Sequence, residues 1–236
     1  MRKRFYFFAF MFCIYASHAQ NLEQFSKSRQ FTDIRSNLVL NGFSVGNNRN
    51  GLKVDGSPYL FKSWNNPSKI VYGDKVYIVA IFNYNIYSER FEAKLSEDSL
   101  FIINPRDIKK VIINGKVFGR YLDPDFYRNS YFEEIAKIND DNLLLKKYTV
   151  KIMPGPINPL TKEKLGNDRL VKGENYYICD LKDENKLKKI KLKKSTVQSL
   201  FNKEVLGEIK KYVNNNDLNY RNPEDVKKIL QFYNTL

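Results

Sequence analysis

The chain has 236 residues, with 40 Lys and Arg against 26 Asp and Glu, a formal net charge of +14, and only one His and two Cys. It contains neither a GxGxxG nor a GxxxxGK[ST] phosphate loop, which excludes nucleotide chemistry of those kinds. The scarcity of imidazole and thiol excludes more once the N-terminus is read.

Residues 1–19 open with Arg2-Lys3-Arg4, continue through an apolar run over 5–16 and end in Ser17-His18-Ala19. A basic end, a short apolar stretch and a small-x-small site predict a secretory signal peptide cleaved after Ala19. The run is too short for a membrane-spanning helix, which needs about 20 residues. Cys13 follows Phe12 rather than a small residue, which argues against a lipid-anchored N-terminal cysteine. Cleavage would leave Gln20 first and 217 of the 236 residues, exported to the periplasm or beyond. His18 would leave with the signal, which removes Ser-His-Asp and Cys-His catalysis and every imidazole-ligated metal site. Cys179 would be the last cysteine, so no internal disulfide can form; its setting in Tyr176-Tyr177-Ile178-Cys179 reads as a small core residue rather than a reactive thiol.

Residues 20–56 are polar and poorly periodic, with room for one or two early strands but no separate domain. The sequence Gly56-Ser57-Pro58-Tyr59-Leu60 follows, then Trp64, Gly73-Asp74-Lys75, Asn83-Tyr84-Asn85-Ile86-Tyr87, Phe91-Glu92 and Tyr131-Phe132-Glu133. This pattern resembles a group of exported proteins from Bacteroidota over most of the mature chain. The resemblance implies export and carries over neither an activity nor a site residue.

From 70 to 152, short segments rich in Val, Ile, Tyr and Phe recur with turn chemistry between them, the rhythm of an antiparallel meander. Residues 75–82 (KVYIVAIF) are apolar on both alternating faces, which predicts a strand covered twice. Residues 90–95 alternate Phe91, Ala93 and Leu95 with Glu92 and Lys94, which predicts a half-buried strand with Glu92 in water. After the polar turn 96–99 and a short strand at 100–103, Asn114-Gly115 predicts a type I′ hairpin within 110–121. A further hairpin joins 131–138 to 143–152 through Asn139-Asp140-Asp141-Asn142.

Residues 153–173, with Pro154, Pro156 and Pro159, predict a long loop that is either a partner-binding lid or an irregular cover over one end of the sheet. A last hairpin is expected between 175–181 and 186–193. Ser195 and Gln198 have capping-box spacing ahead of a helical stripe that breaks near Asn202 or Gly207. Asn222-Pro223-Glu224-Asp225 supplies an N-cap, a proline and acids in the first turn of a final helix.

The expected fold is α+β: an antiparallel meander forming a curved sheet or partly open barrel, with the C-terminal helices packed against it. The parts are a signal peptide (1–19), a polar segment (20–56), a β domain (57–194) and the helices (195–236). Without Arg2, Lys3 and Arg4 the basic residues number 37 against 26 acidic, a net +11. The densest basic cluster is Lys186, Lys188, Lys189, Lys191, Lys193 and Lys194. In an exported protein this points to anionic lipid or acidic glycan rather than nucleic acid; on an edge strand the same charges also block aggregation. The acid pairs Glu133-Glu134, Asp140-Asp141 and Asp123-x-Asp125 raise glycoside hydrolysis and calcium as readings. Adjacent strand residues point to opposite faces, however, and Asp140-Asp141 suits a turn. No cofactor is expected. The favoured reading is a non-enzymatic envelope protein that binds a partner protein or an anionic, amphiphilic ligand; the alternative is a carboxylate-dependent hydrolase of cell-wall or glycan material.

Overall fold

A computed structural model describes residues 54–94, 100–103, 108–183 and 186–236. Residues 1–53, where the signal peptide and polar segment are expected, Leu95 with the turn expected at 96–99, residues 104–107 and Glu184-Asn185 lie outside the described residues.

The strands are β1 (Val54–Asp55), β2 (Asn65–Tyr72), β3 (Lys75–Asn85), β4 (Arg90–Lys94), β5 (Leu100–Ile102), β6 (Ile108–Ile113), β7 (Lys116–Asp123), β8 (Arg128–Lys137), β9 (Asn142–Met153), β10 (Asp168–Asp180) and β11 (Lys186–Ile190). They form one open, curved sheet in the order β1-β10-β9-β8-β7-β6-β2-β3-β4-β5, with β11 on β10. Three helices follow: α1 (Lys194–Gln198), α2 (Leu206–Asn215) and α3 (Pro223–Tyr233). The fold is therefore α+β, as the pattern of strands followed by helices implies. Every strand pair is antiparallel except β1 on β10.

Turn chemistry sets the register where it is strongest. Asn114 and Gly115 have φ of 49° and 74° between Ile113 and its partner Lys116, the two positive values a type I′ turn needs. Asn222 caps α3 by accepting the Glu224 amide at 2.9 Å, with Pro223 at the first helical position.

Three apolar clusters hold the sheet. The largest lies inside the curl of β2–β9, where Phe82 stacks on Phe91 and Phe91 meets Tyr131 edge to face. The helices cover Ile135, Ile138 and Leu144 with Val197, Ile209, Val226 and Leu230. A third cluster joins Phe132, Leu145, Tyr177, Cys179 and Leu187 on the opposite face, so Cys179 is a buried core residue; burial raises its thiol pKa to about 11.

Four expectations need correction. β3 is not covered on both faces: Tyr77 and Val79 are buried while Val76, Ile78 and Ile81 are exposed. Nothing among the described elements packs over that outer face, and the buried side changes between Val79 and Phe82, where the register with β2 shifts. Glu92 does not face water; it is fully buried. The bridge between Tyr59 and Asn85 brings the 57–61 segment alongside, and Glu92 accepts from Tyr59 Oη at 2.8 Å, from Arg90 Nε at 2.7 Å and from Asn85 Nδ2 at 3.2 Å. The loop expected over 153–173 is shorter, because β10 starts at Asp168 and pairs with β9 from Arg169↔Met153 onward. A long backbone ladder overrides the poor strand propensity of Lys172-Gly173-Glu174. Ser195 is no N-cap: it lies within α1, whose N-cap is Lys193 without a side-chain hydrogen bond.

Candidate functional site

A groove that combines aromatic and charged groups has a volume of about 640 Å3. Thr149, Lys151, Val171, Gly173 and Asn175 of the β9–β10 ladder line it, together with Asp125 and Phe126 of the β7–β8 turn and Lys189 of β11. The ladder register explains the shared face, since Thr149 pairs with Gly173 and Lys151 with Val171. At Gly173 a Cβ would meet Thr149 Oγ1 at 3.0 Å, so a glycine keeps the floor flat.

The wall is a strained turn. Asp123 and Arg128 are paired across residues 124–127, and the Asp123 side chain accepts the Asp125 amide at 2.8 Å. Tyr127 sits at φ 52° and is 85% exposed, beside the exposed ring of Phe126. A bulky residue in the left-handed region costs about 1–3 kcal/mol, and such strain concentrates at functional sites. Below the turn, buried Lys147 bonds the buried Asp123, lies 2.9 Å from Glu89 Oε1 and approaches the Phe126 ring at 4.9 Å. Arg128 reaches the same Glu89 at 3.1 Å, and Ser130 donates to it at 2.9 Å. This ionic knot holds the turn against the sheet.

The groove is lined by Lys151, Lys172 and Lys189 against Asp125 and Glu174. Asp125 is occupied by Lys189 Nζ at 2.8 Å and by Tyr177 Oη at 3.1 Å; the Lys189 hydrogen bond, aided by Tyr177, holds its carboxyl below the usual range against the upward pull of burial. Glu174 lies 3.8 Å from Lys146 and accepts from Tyr176. Lys151 makes no ion pair among the described residues. Lys172 donates to the Tyr59 carbonyl, and burial together with the neighbouring Lys62 lowers its pKa.

The six clustered lysines do not form one strip on β11. Lys189 shares its face with buried Leu187 and borders the groove, while Lys188 has the parity of Ile190, which packs towards the helices. Lys186 pairs with Asp183 at 3.2 Å. Lys191 links β11 to the helices, Lys193 caps α1 and Lys194 begins it, all three exposed.

Each acid pair has at least one lysine partner. Glu133 and Glu134 border one small cavity of about 160 Å3 with Lys116 and Glu224, contrary to the expectation that neighbours in a strand cannot share a site; β8 bulges directly after Glu134. Glu133 is bound by Lys116 at 2.8 Å and Lys146 at 3.1 Å, and Glu134 by Lys110 at 3.0 Å. Burial alone would raise the Glu133 carboxyl, but hydrogen bonds from Lys116 and Tyr148 and the Lys146 charge outweigh it and hold it low. Asp141 pairs with Lys182 at 2.7 Å in its turn. Among the described residues no three His, Cys, Asp or Glu side chains converge as a metal-binding set.

Sequence reasoning missed Phe126, Tyr127, Thr149, Lys151 and Asn175. The available signal was Asp123-Pro124-Asp125-Phe126-Tyr127, where two aromatic residues occupy a turn whose chemistry otherwise wants small polar ones. Comparison with protein-family models, with curated proteins and with solved structures finds no match to this chain.

Proposed function

We propose that this is a non-enzymatic binding protein of the cell envelope whose groove takes an acidic glycan. The observation that carries the reading is the exposed Phe126-Tyr127 pair, held by a strained turn beside Lys151, Lys172 and Lys189. A flat aromatic face suits the apolar face of a sugar ring. Thr149 and Asn175 offer hydrogen bonds, and Lys151 offers an ammonium to a sugar carboxylate.

The hydrolase alternative requires a carboxylic acid that stays protonated near neutral pH. Asp125 and Glu133 are instead held below the ordinary carboxylate range by hydrogen bonds from Lys189 and from Lys116 and Tyr148. Together with the lysine partners on each acid pair, this favours binding over hydrolysis.

Titration calorimetry with a galacturonic acid tetrasaccharide tests the reading, against the neutral galactose counterpart as control. The acidic sugar binds and the neutral one binds at least about tenfold more weakly; Phe126→Ala and Lys151→Gln each weaken the acidic sugar about tenfold, consistent with losing a stacking or charged contact. Equal affinity for both sugars, or no binding of either, overturns the proposal.

A further inference from the structure

The loop 154–167 inverts the usual distribution of side chains. Ile157, Leu160 and Leu165 are all exposed, Leu160 at 91%, and Ile152 and Met153 at the end of β9 are exposed as well. The loop is nevertheless tightly built. Asn158 Oδ1 accepts the amides of Leu160 at 2.9 Å and Thr161 at 3.3 Å, while the Leu165 amide bonds the Pro156 carbonyl at 2.8 Å. Ile157 and Lys164 form a bridge, and Lys162 completes the turn at φ 60°. At the base the chain crosses itself so closely that a Cβ on Gly155 would lie 2.1 Å from the Gly166 carbonyl oxygen. Asp168 ties the two ends by accepting the Gly155 amide at 2.9 Å and pairing with Lys164 at 2.7 Å. The exposed apolar side chains thus stand on a pre-ordered scaffold, which lowers the entropy lost on docking.

Charge selects the partner. Residues 154–170 carry three basic side chains, Lys162, Lys164 and Arg169, against Glu163 and Asp168, with Lys164 already paired to Asp168. Lys162 and Arg169 make no ion pair among the described residues. An apolar tip with a basic collar matches a bilayer surface, whose acyl boundary accepts the first and whose anionic headgroups attract the second. We infer that loop 154–167 docks the protein on an anionic membrane, with Leu160, Ile157 and Leu165 entering the headgroup–acyl boundary and Lys162 and Arg169 meeting lipid phosphates. This contact is separate from the groove.

Co-sedimentation with mixed phosphatidylcholine–phosphatidylglycerol vesicles reads the interaction. The wild-type chain sediments with the mixed vesicles and much less with pure phosphatidylcholine. Leu160→Asp lowers the partition about tenfold or more, the scale of burying one leucine side chain. Lys162→Gln lowers it about fivefold, the scale of one cation near an anionic surface. The double variant Lys188→Gln, Lys191→Gln partitions like wild type, and Leu160→Asp leaves the melting temperature and the sugar titration unchanged. In Leu160→Trp, the added tryptophan emission shifts to the blue on mixed vesicles and is quenched by brominated acyl chains. Absence of wild-type binding, wild-type partition by Leu160→Asp, or a Leu160→Trp emission indifferent to vesicles each overturns the inference. Loss of binding in the β11 double variant alone would move the contact to the lysine strand.

Discussion

The body of the sheet and the end of its β9–β10 hairpin break the hydrophobic-inside rule in opposite directions. In the body, Glu92, Asp123, Glu133, Lys146 and Lys147 are buried. At the hairpin end, Ile157, Leu160 and Leu165 are exposed. The buried charges are all answered: Lys147 by Asp123 and Glu89, Lys146 by Glu133, and Glu92 by Arg90, Tyr59 and Asn85. The exposed apolar groups of the loop have no such compensation within the described chain. A satisfied buried charge is architecture, whereas an ordered but uncovered apolar surface marks an interaction site.

If that distinction holds, the largest effects on stability come from the body. Lys147→Ala leaves the buried Asp123 without a cation, while Glu89 keeps Arg128, and is expected to lose about 3–5 kcal/mol in urea denaturation. Glu92→Ala strands fewer groups, chiefly the Tyr59 hydroxyl and the Asn85 amide, and is expected to lose about 1–3 kcal/mol in the same measurement. A loss within about 0.5 kcal/mol for either would show that the ionic knots are ornamental.

A smaller, pH-dependent effect comes from Glu133. Its folded carboxyl titrates below its unfolded value, despite burial, because of Lys116, Tyr148 and Lys146. The group therefore binds protons more readily in the unfolded chain, so its contribution to stability is present above the unfolded glutamate pKa of about 4.3 and is lost as pH falls through the lower folded value. Glu133→Gln should flatten this part of the acid limb in melting temperatures measured from neutral pH downward. An unchanged acid limb would mean that other carboxylates dominate it.

The smallest effect is expected at the loop. Leu160→Asp should change urea stability by no more than about 0.5 kcal/mol, because the side chain touches almost nothing in the folded chain. A loss comparable to that of Glu92→Ala would make Leu160 part of a core and remove the contrast between the two regions.

Much of the fold was legible in the chain. The Asn114-Gly115 turn and the Asn222-Pro223 cap are local chemistry, readable because each depends on a few neighbouring residues. Cys179 was legible as core from the apolar run around it. The groove was not, because Phe126, Thr149, Asn175 and Lys189 come from four separate strands or turns and meet only through the β9–β10 ladder and the curl that carries β11 beside the β7–β8 turn.

By itself the sequence determined the α+β class, the meander, the hairpin turns and the cap of the last helix, since these follow from residue periodicity and local backbone preference. Only the tertiary structure decided which polar residues are buried. Alternation places Phe91 and Glu92 on opposite faces, but it cannot say that the 57–61 segment returns to cover the second face, nor that the curved sheet buries Lys147 between Asp123 and Glu89. Those outcomes depend on contacts between residues tens of positions apart, where sheet curvature and charge pairing act together and local pattern carries no information.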